Sequence, residues 1–274
     1  MDKETFADYA VKNAIEETLQ EALAILDADD GKTFEEKKEA LIKHLEKHRE
    51  PILADTLADC AIADTIGQQI KDSFWNFGEI TCSDPSIILS KVSDADRAGY
   101  MEIQKEYSTM KSMLKEQIYC DMLWNELVQP KALMLTISKD GNYVGYCGIR
   151  NTAEKPWEIA IELLPQWTQK GIGAIAISGM LDAIKTRLDI SEFRARIDPS
   201  NHSSQKLFEK LGAKPNGISE YLIHNQAKLD QCEEDNLHLI DESLINLAAK
   251  FNVEPRRLLS HVLEYAMTWN ESDS

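Results

Sequence analysis

Positive charge is in short supply in this chain. Its 274 residues carry 30 Lys and Arg against 47 Asp and Glu, a net charge of −17. Phosphate backbones and anionic lipid surfaces are held by Lys and Arg, so general nucleic-acid binding and electrostatic membrane attachment are not expected. No run of 18 apolar residues occurs, so no membrane span is expected. The first 25 residues have no uninterrupted apolar core, so no signal peptide is expected either. Cysteine is sparse: Cys60, Cys82, Cys120, Cys147 and Cys232 are scattered, odd in number and without a CxxC pair. That usage excludes a disulfide framework and fits reduced thiols in a cytoplasmic protein. Internal repeats and low-complexity segments are also missing.

What is present begins with an acidic helical stretch. Phe6, Ala10, Ala14, Leu19, Ala22, Leu23 and Leu26 share roughly one helical face. Thr33 and Glu36 have capping-box spacing, and Pro51 can open a third helix. Residues 1–82 hold 19 acidic and 9 basic residues, more than half of the net negative charge. They are read as an acidic helical N-terminal region.

The pattern changes at residue 83. Ile87 to Val92 read as a strand, followed by two helical stretches and by a hairpin with Asp140-Gly141 at its turn. "WEIAIELL" alternates as a strand, residues 172–188 have helical spacing, "EFRARID" is again a strand, and "SSQKLFEKLG" is a helix closing on Gly212. The order predicts an α/β fold, an antiparallel start passing into a parallel βαβ unit whose crossover is 172–188. Residues 83–224 form that domain, and 225–274 are read as a helical C-terminal extension.

Several short matches fail on inspection. "DADDGKTFEEKKE" resembles a calcium loop, but Gly31 comes one position early and Lys38 stands where a carboxylate is required. "GKT" at Gly31–Thr33 lacks the upstream glycine of a P-loop. His44 and His48 are four apart, but Glu46 is misplaced for a zinc protease and no third ligand is evident, so no metal is expected. "LAAKFNVEPRRLLSHV" has helix-turn-helix spacing, with Asn252 at the left-handed turn position. Only Arg256 and Arg257 could meet phosphates there, so a packing helical hairpin is expected.

The stretch "WTQKGIGAIAISGM" follows a strand and opens a helix, which is how proteins cradle phosphate: the first helical N–H groups lack partners and the dipole favours anions. Gly171, Gly173 and Ala176 also satisfy the dinucleotide fingerprint. That motif belongs after the first strand of a doubly wound sheet, whereas at least three strands precede it here.

A second element is decisive. Thr168-Gln169-Lys170-Gly171-Ile172-Gly173 matches Q/R-x-x-G-x-G/A except at its first position. Downstream, Asn201, Ser204, Leu207, Phe208, Lys210 and Gly212 fall in register with N-x-x-A/S-x-x-L-Y/F-x-K-x-G. Over about residues 86–215 the chain resembles the GNAT superfamily of acyl-CoA-dependent N-acyltransferases. The resemblance implies a GNAT-like mixed sheet, with antiparallel N-terminal strands and a parallel βαβ unit that binds coenzyme A. It implies acetyl-CoA as donor, with backbone from Gln169 through Ala174 around the pyrophosphate and Lys170 adding charge. Backbone at Leu163 and Leu164 would hold pantetheine amides, and Asn201 would touch the same arm or fix the loop. Ser204 and Phe208 would line that helix.

Acyl transfer needs a neutral amine and therefore a base. Glu158, Ala160 and Glu162 project from one face of their strand, and Ile159, Ile161 and Leu163 from the other. Relatives often place a catalytic glutamate on this strand; Glu158 lies nearest that position and Glu162 is the reserve. The family's other base position, on the fifth strand, holds Arg196. The resemblance thus implies an N-acetyltransferase acting on a small-molecule or peptide amine, and the acidic surface suggests a cationic acceptor. Phe208 stands where the family frequently has a tyrosine that protonates the thiolate. The alternative is an inactive acyl-CoA-binding protein whose tail contacts a partner or DNA. The helical ends leave a homodimer open.

Overall fold

The computed structural model describes residues 36, 40, 43, 62–220 and 225–270. The chain divides into two compact units, Met1–Ile66 and Gly67–Ser274. In the first, the described residues are helical. Thr33 of the expected capping box, the start of a helix at Pro51 and the His44/His48 pair lie outside the described residues.

The second unit is built on an eight-stranded sheet: β1 (Ile80–Thr81), β2 (Ile87–Lys91), β3 (Leu133–Lys139), β4 (Asn142–Ile149), β5 (Trp157–Leu163), β6 (Glu192–Ile197), β7 (Lys214–Ser219) and β8 (Val262–Thr268), in the spatial order 1-2-3-4-5-6-8-7. Strands β1 to β5 pair antiparallel, and β5 with β6 is the parallel pair. The β3–β4 hairpin turns at Asp140 and Gly141, with φ of 50° and 77°. Positive φ at both central residues is the mirror-image turn whose twist matches that of the strands, and the Asp-Gly pair tolerates it.

Helices α1 (Arg97–Tyr107) and α2 (Gln117–Val128) follow β2, α3 (Ile172–Leu188) crosses from β5 to β6, and α4 (His202–Lys210) precedes β7. The crossover α3 has the expected bounds. It buries Ile172, Ala176, Ile177, Met180, Leu181 and Ile184 against one face of the sheet, where Leu89, Leu135, Cys147, Ile159 and Phe193 are waiting. The opposite face carries Tyr146 and Ala160, which pack with Tyr100 and Ile103 of α1 and Trp124 and Leu127 of α2. The alternation expected in β5 is therefore observed. Odd residues meet α3, and even residues meet the α1/α2 side.

The C-terminal stretch differs from the helical expectation in its last part. Helices α5 (Gln226–Asp235) and α6 (Glu242–Phe251) form, and Asn252 turns α6 off in the left-handed conformation, φ 55°. No second hairpin helix follows. A short 3-10 turn, Pro255–Leu259, leads into β8, which enters the sheet between β6 and β7. The physical reason is period-two burial: Leu263, Tyr265 and Met267 are buried, while Val262, Glu264 and Ala266 between them are less so.

Candidate active site

The ladder between β5 and β6 is short. Trp157 pairs with Phe193 and Glu158 with Arg194, and there it ends, although β5 continues to Leu163. Parity then decides where the backbone of β5 points. Arg150 N donates to Glu158 O at 3.1 Å and Leu164 N to Val144 O at 2.9 Å, so even residues spend their backbone groups on β4. The C=O of Ile159 and the backbone groups of Ile161 and Leu163, beyond the last ladder pair, face the opening beside β6. Strand backbone left on such an edge needs hydrogen-bond partners, and an extended chain of amides supplies them. Ile161 is thus a better candidate for this contact than Leu164, whose N–H is taken. The Leu163 carbonyl accepts from the Tyr107 hydroxyl at 3.1 Å.

At the C-terminal end of β5 the chain makes the glycine turn. Gln169 and Gly171 have φ of 58° and 80°, and Gly171 is the N-cap of α3. The first backbone bond into the helix is Ile175 N to Gly171 O, so the N–H groups of Ile172, Gly173 and Ala174 have no carbonyl within the helix. Thr168 turns its Oγ1 back to Pro165 O at 2.8 Å, and Lys170 Nζ lies 5.0 Å from the centre of the Trp167 ring. A Cβ on Gly173 would come within 3.4 Å of Ile161 Cδ1 and Leu207 Cδ2. The glycine therefore leaves room beside apolar side chains at the mouth of the β5–β6 opening.

On α4, Asn201 caps the helix: its Oδ1 accepts from Ser204 N at 3.1 Å. Of its two expected roles, fixing the loop is the one the geometry displays. Phe208 is only 3% exposed and belongs to the core under α3.

The two glutamates of β5 share a face but not a setting. Glu158 is buried, and Arg196 donates to its Oε2 at 2.8 Å. Arg150 Nε and Arg194 Nη2 each stand 3.5 Å from its carboxylate. Three guanidiniums therefore surround its carboxylate. Glu162 lies under α1, where Gln104 Nε2 is 3.5 Å from Oε2 and the Tyr146 hydroxyl donates to the carboxylate. Burial raises its carboxyl above the ordinary glutamate value, with Tyr146 and then Arg150 opposing the rise. A carboxylate that holds its proton more tightly than usual can accept one from an amine. Sequence reasoning missed Gln104, Tyr107 and Tyr146, because the β4–β5 register sets Tyr146 opposite Glu162 and only the packing of α1 on that face brings Gln104 and Tyr107 to β5.

Among the described residues no cluster of His, Cys, Asp or Glu could hold a metal ion. No described helix is long and apolar enough to cross a membrane.

An antiparallel sheet that turns parallel at a splayed pair, with a glycine turn at the mouth, is the arrangement the motifs implied. Residues 83–214 match the family model described as the acetyltransferase (GNAT) domain. Over that segment, somewhat under half of its length, the chain is similar to GNAT domains. A curated relative, a putative [ribosomal protein bS18]-alanine N-acetyltransferase of Bacillus subtilis (strain 168), is 30% identical over 99 residues. That match spans 36% of this chain and 65% of the relative, so the chain covers somewhat under two thirds of that protein's length. Among solved structures, Mycobacterium smegmatis RimJ in complex with CoA-disulfide aligns at 18% identity and a TM-score of 0.47, over 72% of this chain and 88% of that one. A spermidine N-acetyltransferase chimera from Vibrio cholerae aligns at 14% identity and a TM-score of 0.46, over 67% and 95%.

Proposed function

We propose that this GNAT-like domain transfers an acetyl group from acetyl-CoA to a primary amine by direct attack in a ternary complex. The observation that carries this reading is the opening between β5 and β6. It presents the backbone of Ile159, Ile161 and Leu163 along one edge, and the phosphate-binding turn closes one end. Pantetheine would extend along that edge, and the pyrophosphate would meet the N–H groups of Gly171 to Ala174.

The amine nitrogen attacks the thioester carbon, the C–S bond breaks, and the coenzyme leaves as thiolate. We assign the proton of the attacking amine to Glu162 rather than Glu158. Glu162 sits on the α1/α2 face with a raised proton affinity, whereas each oxygen of Glu158 faces a guanidinium. The thiolate leaves without an acid from Phe208. An alkyl thiol has a pKa of about 8.5, by analogy with cysteine, so its anion is a tolerable leaving group near neutral pH. The acceptor is an amine on a peptide or small molecule. The protein relative's name, an alanine N-acetyltransferase of a ribosomal protein, supports a peptide. The acidic N-terminal region, residues 1–82, is read as a dimer contact, and we read the protein as cytoplasmic.

The test is calorimetric binding of acetyl-CoA combined with a thiol-release assay over a library of amines and peptides. Binding in the micromolar range, about −8 kcal/mol, with thiol release on an amine supports the proposal. Binding without thiol release on any amine favours the alternative of an acyl-CoA sensor, to which the phenyl ring of Phe208 points. NADH binding with no CoA binding would overturn both.

A further inference from the structure

Tyr100, Tyr107, Tyr143 and Tyr146 all feel the charge of Glu162, and three of them are already engaged. Tyr146 donates to the Glu162 carboxylate, and the Tyr100 hydroxyl donates to Leu123 O at 3.2 Å. The Tyr143 ring is packed so closely on Gly99 that a Cβ there would collide with it. Tyr107 is different. It is the last residue of α1 and is 49% exposed. Its hydroxyl donates to Leu163 O at 3.1 Å. That carbonyl faces the opening beside β6, so Tyr107 reaches the open edge of β5 from the side of the sheet that also bears Glu162.

The edge is short, which limits where a thioester can lie. The β5–β6 ladder ends at Glu158 with Arg194, and the glycine turn closes the other end. From Ile159 to Leu163 the strand offers about 13 Å of edge, at about 3.3 Å per residue. The acyl carbon must stand within reach of Glu162, because that carboxylate takes the proton of the amine attacking it. Glu162 lies between Ile161 and Leu163, which are about 7 Å apart along the strand. The sulfur is bonded to the acyl carbon, so it falls on the same step of the edge as the Tyr107 hydroxyl. A half-exposed side chain at a helix end changes rotamer quickly enough to meet it.

We propose that Tyr107 holds the departing sulfur, its hydroxyl passing from Leu163 O to the thiolate as the C–S bond breaks. This rests on the acetyltransferase reading, with Glu162 as base. The amine nitrogen forms the new bond to the acyl carbon, its proton goes to Glu162, and the electron pair of the C–S bond settles on sulfur. Tyr107 keeps its own proton. Burial, then Glu162 and Glu106, hold the phenol above its ordinary value, whereas an alkyl thiol ionises at about 8.5. The hydroxyl therefore contributes a charge-assisted hydrogen bond that strengthens as charge develops on sulfur. With that donor in place the thiolate needs no acid from Phe208.

The test uses the full chain and reads the contact before any turnover. Wild type and Tyr107→Phe, each saturated with CoA, are titrated by the ultraviolet absorbance of the thiolate, with each protein without CoA as its blank. The bound thiol should ionise about one pH unit lower in the wild type than in the variant, a difference of about tenfold. Acetyl-CoA affinity by calorimetry should agree within about twofold, since the variant keeps the ring and every backbone group of β5. Its kcat for thiol release should fall by about tenfold or more. Losing a hydroxyl from a half-exposed side chain leaves the fold intact, which circular dichroism checks. Equal ionisation of the bound thiol in the two proteins, or a loss of kcat matched by an equal loss of acetyl-CoA affinity, would overturn the inference and leave the acetyltransferase reading standing. A shifted thiol with no thiol release on any amine keeps the contact and removes the chemistry. Absence of CoA binding by the wild type removes both.

Discussion

Replacing each β5 glutamate by glutamine should separate stability from turnover. Glu158→Gln removes the anion from among three guanidiniums at 2.8 to 3.5 Å. Breaking a buried ion pair by deleting one partner costs about 3–5 kcal/mol. Arg150 is 44% exposed, so water takes up part of the stranded charge. That discount leaves a loss of about 2 kcal/mol. For a folded unit of this size each kcal/mol moves Tm by about 2–4 °C, so Tm should fall by about 4–8 °C. Glu162→Gln has the opposite sign. Burial raises the folded carboxyl above its unfolded value, so the folded state binds that proton more tightly. Its contribution to stability is present at low pH and is lost as pH rises from the unfolded value through the folded one. Glutamine has no proton to lose, so the melting temperature near neutral pH should hold or rise. Turnover should nevertheless fall by about 10²-fold or more if Glu162 is the base. Thermal melts by circular dichroism and thiol release measure the two axes. Full turnover in Glu162→Gln, with an unchanged Tm and lost turnover in Glu158→Gln, would return the base to Glu158.

The same carboxylate sets a pH dependence. The acid limb of kcat/KM should lie above the ordinary glutamate range, since activity appears only as Glu162 loses its proton, and the limb should vanish in Glu162→Gln; a limb at the ordinary value would refute the assignment. Gly173→Ala places a methyl 3.4 Å from Ile161 Cδ1 and Leu207 Cδ2, which the folded protein can absorb. Alanine in place of a helical glycine stabilises by about 0.5–1 kcal/mol, so Tm should not fall, yet CoA affinity by calorimetry should drop by about tenfold or more, near 1.4 kcal/mol; unchanged affinity would mean that the apolar mouth takes no ligand. Phe208→Tyr puts a hydroxyl into the core below α3, and that should lower Tm while changing turnover less than about 10-fold; a 100-fold rise would instead show a native site short of an acid.

The parts legible in the sequence are those fixed by local chemistry. Asp140-Gly141 carries its own turn, and the apolar spacing of 172–188 states a helix that has one buried side. Gly171 announces a left-handed N-cap, and Asn201 a capped helix start. Roles set by distant partners were not legible. Glu158 and Glu162 have the same parity on one strand, so parity cannot rank them, and the family resemblance that put Glu158 first carries no information on their partners. Arg196, 38 residues downstream, pairs with the first, and Tyr146, on the preceding strand, bonds the second and helps make it the candidate base. Likewise "HVLEYAMTW" is rich in good helix formers, and its alternation becomes meaningful only beside β6 and β7, which bury every second residue.

That last strand changes what the C-terminal stretch is for. The two arginines that could have met phosphates turn instead onto Glu233, which is 1% exposed: Arg256 Nε donates at 2.7 Å and Arg257 Nη1 at 3.0 Å. Ser260 Oγ donates to the same carboxylate at 2.8 Å, and its contact with His261 Nδ1 extends the network to the start of β8. Burial and the neighbouring Arg257 hold His261 below its ordinary value. A buried glutamate with three donors is satisfied, so the network's effect is to fasten α5 to the turn that launches β8. From there β8 pairs with β6 from Glu192 through Ile197, the strand that carries Arg194 and Arg196 to Glu158. The arginines of the tail thus serve the position of the arginines at the cleft. Removing the stretch from 225 onward would take away the partner of β6 on its β8 side from Glu192 through Ile197 and leave only the short ladder to β5.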